Sequence, residues 1–203
     1  MSKTLIIAEA GVNHNGDIAL AHKLIEQACI VGADIVKFQT FLPNELSTEY
    51  APLAQYQKNN LGEKISQLDM LDNLKLSVSD HYELIKHCKE KKIEFLSTAF
   101  DLNSLSLLNK LNLKRNKIPS GEITNLPFLR KIAELNKPII LSTGMATIGE
   151  VEIALKEINN YGTNNDQITV LHCSTEYPAS ITSVNLNAMI TMKSELGVEV
   201  GYS

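Results

Sequence analysis

In Ile35-Val36-Lys37-Phe38-Gln39-Thr40 a short apolar strand, Ile35-Val36, runs straight into a polar cluster, and the same pattern recurs along the chain. Ile6-Ile7-Ala8 leads into Glu9 and Asn13-His14-Asn15-Gly16, and Ile93-Glu94-Phe95-Leu96 leads into Ser97-Thr98. Lys117-Ile118 leads into Pro119-Ser120-Gly121-Glu122, and Ile139-Ile140-Leu141 into Ser142-Thr143-Gly144. Val170-Leu171 leads into His172-Cys173-Ser174-Thr175-Glu176-Tyr177-Pro178, and a seventh strand, Val198-Glu199-Val200, into Gly201-Tyr202-Ser203. Amphipathic helical segments separate most of these strands, which is the pattern of repeated βα units around a parallel sheet. Polar residues at the C-terminal ends of parallel strands mark the active-site face of a barrel. The expected fold is therefore an α/β (β/α)8 TIM barrel. Eight strands close such a barrel and seven are read here, so one barrel domain over residues 1–203, incomplete after the seventh strand, is expected.

The helices follow from caps and spacing. Asp17 precedes Ala21, Leu24, Ile25 and Ala28, and Asp101 precedes Leu105, Leu108 and Leu111. Ser79 to Lys91 places Leu84, Ile85 and Cys88 on one face, and Asn125-Leu126-Pro127 opens a segment carrying Leu129, Ile132 and Ala133. Thr147 with Glu150 reads as a capping box, and a last helix is expected around Leu186 to Glu195. The stretch from Phe41 to Leu76 is too long for one βα connection and contains no clear strand. It is either a lid or binding loop, with Tyr50 and Tyr56-Gln57-Lys58-Asn59-Asn60 as its notable residues, or a surface excursion.

The 203 residues are 44% hydrophobic with a formal charge of −4, enough apolar material for a substantial core. No basic run or aromatic-basic interleaving points to nucleic acid. The N-terminal apolar run is short and ends in Glu9, so neither a signal peptide nor a membrane span is expected. Cys29, Cys88 and Cys173 lack metal-ligand spacing and read as reduced thiols, which gives a cytoplasmic address.

In the opening stretch, period-two alternation sets Val36 and Phe38 on one side and Lys37 and Gln39 on the other. If the apolar pair packs against helices, Lys37 and Gln39 point inward. A buried ammonium needs an anion or a carboxylate, and a salt bridge to Glu9 on the neighbouring strand is the bland alternative to a ligand. Lys117 repeats the problem, with snorkelling to solvent as its bland reading. Ser97-Thr98, Ser120 and Ser142-Thr143 can each be simple helix caps. Together with two lysines they form a cradle for a small anionic group, with phosphate the natural candidate. Glu9 and Glu122 are candidate acid/base groups, or partners of those lysines. His14 and His172 have no metal-ligand spacing, and Tyr177-Pro178 reads first as a loop anchor.

Five stretches together resemble the bacterial N-acetylneuraminate (sialic acid) synthases. They are Ala8 to Gly16, Val36 to Thr40, Lys117 to Glu122, Leu141-Ser142-Thr143-Gly144-Met145 and Leu171 to Pro178, with Gln67-Leu68-Asp69-Met70-Leu71 in the long connection. The resemblance runs through essentially the whole chain. It implies condensation of phosphoenolpyruvate with N-acetylmannosamine, releasing phosphate by C–O cleavage. Relatives making legionaminic or pseudaminic acid share that chemistry. It further implies that Lys37, Thr98, Lys117, Ser120, Ser142, Thr175 and Ser203 bind phosphoenolpyruvate, although some members carry asparagine at the Thr175 position. Glu122 and Glu9 are implied as catalytic carboxylates, and Gln39 and Tyr177 as sugar contacts. An implied Mn²⁺ or Mg²⁺ polarises the sugar aldehyde. The two histidines expected to hold it match no residue in this sequence, the first falling two positions past Ser203. An antifreeze-like C-terminal domain and a homodimer are implied for the full-length enzyme. Two other readings stand beside this one. A Schiff-base aldolase would use Lys37 or Lys117 as an amine nucleophile, and an inactive fragment would only bind phosphoenolpyruvate.

Overall fold

Seven parallel strands and their intervening helices follow one another in the expected order in a computed structural model that describes residues 4–52, 66–176 and 179–203. The chain divides into two units, Met1–Leu111 and Asn112–Ser203.

The first unit holds β1 (Ile7–Gly11), α1 (Ile18–Ile30), β2 (Ile35–Thr40), α2 (Pro43–Leu46), α3 (Gln67–Leu74), α4 (Val78–Lys91), β3 (Glu94–Ala99) and α5 (Leu102–Lys110). Its strands pair in parallel, β1 with β2 and β2 with β3. Asp17 starts α1 as expected: its carboxylate accepts from the Ala19 backbone N–H at 2.7 Å, and Ala21, Ile25 and Ala28 turn inward. Asp101 does two jobs. One carboxylate oxygen caps α5 through Ser104 N at 2.7 Å, and the other accepts from Leu42 N at 2.9 Å. α4 begins a little earlier than the periodicity indicated, because Ser77 and Asp80 form a capping box in front of it. Ile25, Ile35, Phe38, Leu84 and Leu96 are fully buried, each worth about 1.5–3 kcal/mol relative to an exposed side chain.

The long connection after β2 carries α2 and α3 and, among the described residues, no strand. Residues 53–65, including Tyr56 and Gln57, lie outside the described residues. The end of α3 rests on the β1–α1 turn: a Cβ on Gly16 would stand 2.2 Å from the Asn73 carbonyl oxygen, and Gly16 has φ +77°. Only glycine meets both demands.

The second unit holds β4 (Asn116–Ile118), a 3₁₀ turn (Ser120–Glu122), α6 (Leu126–Ala133), β5 (Ile139–Ser142), α7 (Ile148–Asn160), β6 (Ile168–His172), α8 (Ala188–Leu196) and β7 (Glu199–Tyr202). The strands again pair in parallel and in chain order. Asn125 caps α6 ahead of Pro127, and Thr147 and Glu150 form the expected capping box on α7. The Thr147 backbone N–H holds the Glu150 carboxyl below its ordinary range. Phe128, Leu129, Ile132, Ile139, Leu141 and Ile158 make the buried layer between these helices and strands. Among the described residues, no helix is long and apolar enough to cross a membrane.

The strands extend further into the polar clusters than their apolar cores indicated. Lys37 to Thr40, Ser97, Thr98 and Ser142 all stand within strands, at their C-terminal ends. Their positions are therefore fixed by ladder hydrogen bonds rather than by loops.

Candidate active site

In the first unit, Glu9 and Lys37 are Cα partners in the β1–β2 register and their side chains form an ion pair. The salt bridge offered as the bland reading is thus present. It is lopsided: the Lys37 side chain is 13% exposed and that of Glu9 50%. Immediately after Glu9 the register slips, so that Gly11 rather than Ala10 pairs with Phe38. Gly11 sits at φ +54°, and a Cβ there would lie 3.1 Å from Glu9 Oε1 and 3.7 Å from Gln39 Nε2. The bulge thus brings the Glu9 carboxylate and the Gln39 amide to the same backbone position. Gln39 is in turn the Cα partner of Thr98, which is buried.

In the second unit, Lys117 is buried rather than snorkelling. It occupies the middle of β4, not its start, so its stem has no short route to water. Its ammonium donates to Ser142 Oγ at 2.6 Å and to the Ile118 carbonyl at 2.7 Å. Three residues beyond Lys117, Ser120 Oγ accepts from the Gly144 N–H at 2.9 Å, making a second tie between the ends of β4 and β5. A Cβ on Gly144 would stand 2.6 Å from Thr175 Cγ2 and 2.9 Å from Ser120 Oγ. The strand ends carrying Lys117 and Ser120, Ser142 and Gly144, and Thr175 therefore converge. The glycine keeps the space between them open. Ser203 extends the same edge, with its N–H on the His172 carbonyl at 2.9 Å and its carbonyl accepting from Ser174 N at 3.2 Å. Thr143 Oγ1 donates to the Leu171 carbonyl at 2.9 Å and locks the end of β5 to β6. A buried cation, two hydroxyls and a close backbone form the kind of donor set that suits a multiply charged oxyanion.

Glu122 is half-buried at the end of the 3₁₀ turn, and its carboxylate accepts from Asn125 Nδ2 at 2.6 Å. Asn125 also caps α6 through Phe128 N, so the carboxylate is aimed by a helix terminus. Tyr177 lies outside the described residues. No group of three His, Cys, Asp or Glu residues among the described residues can hold a metal ion. Sequence reasoning missed His81, which is buried in the first turn of α4 and bonded to Thr40. Its signal was available: residues 81, 84 and 88 form one helical stripe, and two of them are buried apolar residues.

The model of the NeuB family matches residues 24–203. The N,N'-diacetyllegionaminic acid synthase of Campylobacter jejuni is 56% identical over 203 residues, all of this chain and 61% of that protein. The enzyme of the same name from Legionella pneumophila is 48% identical over 200 residues, 98% of this chain and 56% of that protein. The chain thus spans about three fifths of the length of these curated relatives. Among solved structures, the N-acetylneuraminic acid synthetase of Leptospira borgpetersenii superposes with a TM-score of 0.82 at 28% identity. That match covers 98% of this chain and 65% of the solved one. The fold is the α/β barrel fold expected from the sequence. The chain belongs to the NeuB family.

Proposed function

We propose that this chain is the barrel portion of a nonulosonic acid synthase that joins phosphoenolpyruvate to an amino-sugar aldehyde, with N,N'-diacetyllegionaminic acid as the product. The observation that carries the reaction class is the buried Lys117 ammonium, tied to Ser142 beside the Ser120–Gly144 link. Such a site offsets the charge of phosphoenolpyruvate while it reacts. The identity to the two legionaminic acid synthases supports the product. The expected acceptor, N-acetylmannosamine, accordingly gives way to a sugar bearing two acetamido groups, as the name of that product implies.

In this reading Lys37, Thr98, Lys117, Ser120, Ser142, Thr175 and Ser203 hold phosphoenolpyruvate. Glu9, Gln39 and Tyr177 meet the sugar. The methylene carbon of phosphoenolpyruvate attacks the aldehyde carbon, and cationic character develops at the phosphate-bearing carbon. Glu122, steadied by Asn125, takes a proton from the water that adds there. The resulting tetrahedral intermediate expels phosphate. The divalent metal implied by the resemblance would polarise the aldehyde. Among the described residues no group of three donors fits it, and no step is assigned to it.

The test uses the full-length enzyme with phosphoenolpyruvate labelled with ¹⁸O in the bridging oxygen, and two acceptors: N-acetylmannosamine and a diacetamido sugar of the same configuration at C2. The expected result is labelled phosphate, with higher kcat/KM for the diacetamido sugar. Preference for N-acetylmannosamine would overturn the product assignment. Label retained in the sugar acid, or a borohydride-trapped pyruvate adduct on Lys37 or Lys117, would overturn the mechanism.

A further inference from the structure

Three buried side chains, His81, Thr40 and Ser97, run in a line behind the strands of the first unit and end on the backbone carbonyl of the exposed Ser77. His81 Nδ1 lies 2.7 Å from the carbonyl of Ser77, the N-cap residue of α4. His81 Nε2 lies 2.8 Å from Thr40 Oγ1, which lies 2.7 Å from Ser97 Oγ. His81 is wholly buried, and Thr40 and Ser97 are nearly so.

The directions of these bonds follow from chemistry. A carbonyl only accepts, so the Nδ1 proton is donated to Ser77. In the neutral ring Nε2 is then the acceptor and takes the Thr40 hydroxyl proton. Thr40 oxygen is left to accept from the Ser97 hydroxyl. Burial keeps the ring neutral by pushing its pKa below the ordinary histidine value, against the pull of the Ser77 carbonyl and the Asp80 carboxylate. Phe95 stands edge-on to the ring at 6.3 Å and stacks on Phe38 at 5.5 Å, and Phe38 in turn meets His14 at 6.1 Å. The aromatic wall holds the imidazole in its plane. The Ser77–Asp80 capping box fixes the carbonyl at the head of the line.

What this line controls lies one residue away on each strand. Thr40 follows Gln39, and Ser97 precedes Thr98, while Gln39 and Thr98 are Cα partners. Successive side chains on a strand point to opposite faces. A tie between Thr40 and Ser97 on the helix-facing side therefore sets how Gln39 and Thr98 are presented on the other. Apolar residues of the same size would fill this space with no polar atoms to desolvate, but without directional bonds to hold the strand ends.

We propose that His81 is a positioning residue for the condensation, anchoring the ends of β2 and β3 to the start of α4 and thereby placing Gln39 and Thr98. The inference rests on the reading of those two residues as sugar and phosphoenolpyruvate contacts.

The experiment takes the full-length enzyme and its variants His81→Leu, Thr40→Val and His81→Gln, the last retaining an amide that reaches Thr40. Kinetics are measured well below each melting temperature. In parallel, ¹H–¹⁵N spectra report the His81 tautomer, the Thr98 amide and the Gln39 side-chain amide. Expected are an Nδ1-protonated ring in the parent and shifted Thr98 and Gln39 resonances in Thr40→Val. His81→Leu and Thr40→Val should raise KM by about 10- to 100-fold, the scale of a sub-ångström to 1 Å misplacement. His81→Gln should recover most of that loss. Variants that melt lower but keep parental KM and unshifted resonances would reduce His81 to a structural residue and overturn the proposal. So would an Nε2-protonated tautomer. Should the parent release no phosphate with any acceptor, the condensation reading fails. The resonances then decide the positioning alone, shifted signals sustaining it and unshifted ones overturning it.

Discussion

Replacing Gly144 by Ala should damage phosphoenolpyruvate binding at least as much as folding. Gly144 has no positive φ to relieve, so the substitution acts through space alone. The new methyl would arrive 2.6 Å from Thr175 Cγ2 and 2.9 Å from Ser120 Oγ. Thr175 is exposed and its methyl can rotate away. Ser120 is different, because its oxygen is also the acceptor of the Gly144 N–H at 2.9 Å. Moving it breaks that bond, at a net cost of about 1 kcal/mol. For a chain of this size that is a fall of about 2–4 °C in melting temperature. If the Ser120 hydroxyl holds phosphoenolpyruvate, the same displacement should raise its KM by about tenfold or more. The assay pairs thermal melts with phosphate-release kinetics for Gly144→Ala, Ser120→Ala and the double variant. Removing the Ser120 oxygen relieves the contact whose displacement breaks a hydrogen bond, so the double variant should melt no lower than Gly144→Ala, a non-additive cycle. An additive loss of stability, or an unchanged KM in Gly144→Ala, would refute this reasoning.

Glu122→Gln keeps the hydrogen-bonding shape at Asn125 but removes the base, so turnover should fall by about 10²–10⁴-fold while phosphoenolpyruvate KM holds or improves; normal turnover would leave Glu122 a structural residue. Burial holds His14 and His81 below their ordinary pKa. Below about pH 6.5 the unfolded chain therefore binds protons that the fold does not. Stability should be complete above that pH and decline as it falls, by up to about 1.4 kcal/mol per pH unit for each histidine. Urea midpoints from pH 7.5 down to 5.5 would test this, and a His81→Gln variant with the same slope as the parent would contradict it. The Cys88 thiol is pushed up to about 12 by burial, with Cys29 adding to the effect. Iodoacetamide at pH 8 should leave Cys88 unmodified until the chain unfolds, and native labelling as fast as that of Cys173 would count against its burial.

Much of the fold was legible because short apolar runs and caps are local signals. Asp17, Asp101, Asn125 and the Thr147–Glu150 pair cap the helices they were expected to cap. The Ser77–Asp80 box was passed over because its third-position acid is aspartate rather than glutamate. α3 was missed for a different reason. It has eight residues and none of them is buried, so hydrophobic periodicity carried little information, and its seat on Gly16 is a tertiary contact. The candidate site was legible as a set of residue types at strand ends. Whether a lysine pairs, snorkels or is buried was not, because that depends on the neighbouring strand. Alternation alone left Lys37 and Lys117 equivalent, whereas the structure ties Lys37 to a half-exposed carboxylate on the neighbouring strand and buries Lys117 beside Ser142. The Ser77–His81–Thr40–Ser97 line joins residues from three separate elements, and no local pattern announces it.

The connection from β2 to β3 runs through residues 41–93, against residues 12–34 between β1 and β2. It is a little over twice as long, and each doubling of a loop adds only about 0.6 kcal/mol of closure entropy. Length is therefore a weak constraint on this part of the chain, and point attachments are the strong one. The Asn73 carbonyl rests against Gly16 at one end of the excursion, and the Leu42 N–H is held by Asp101 at the other. The two attachments therefore hold the described ends of this connection more firmly than its length does, and a single methyl on Gly16 would unseat α3.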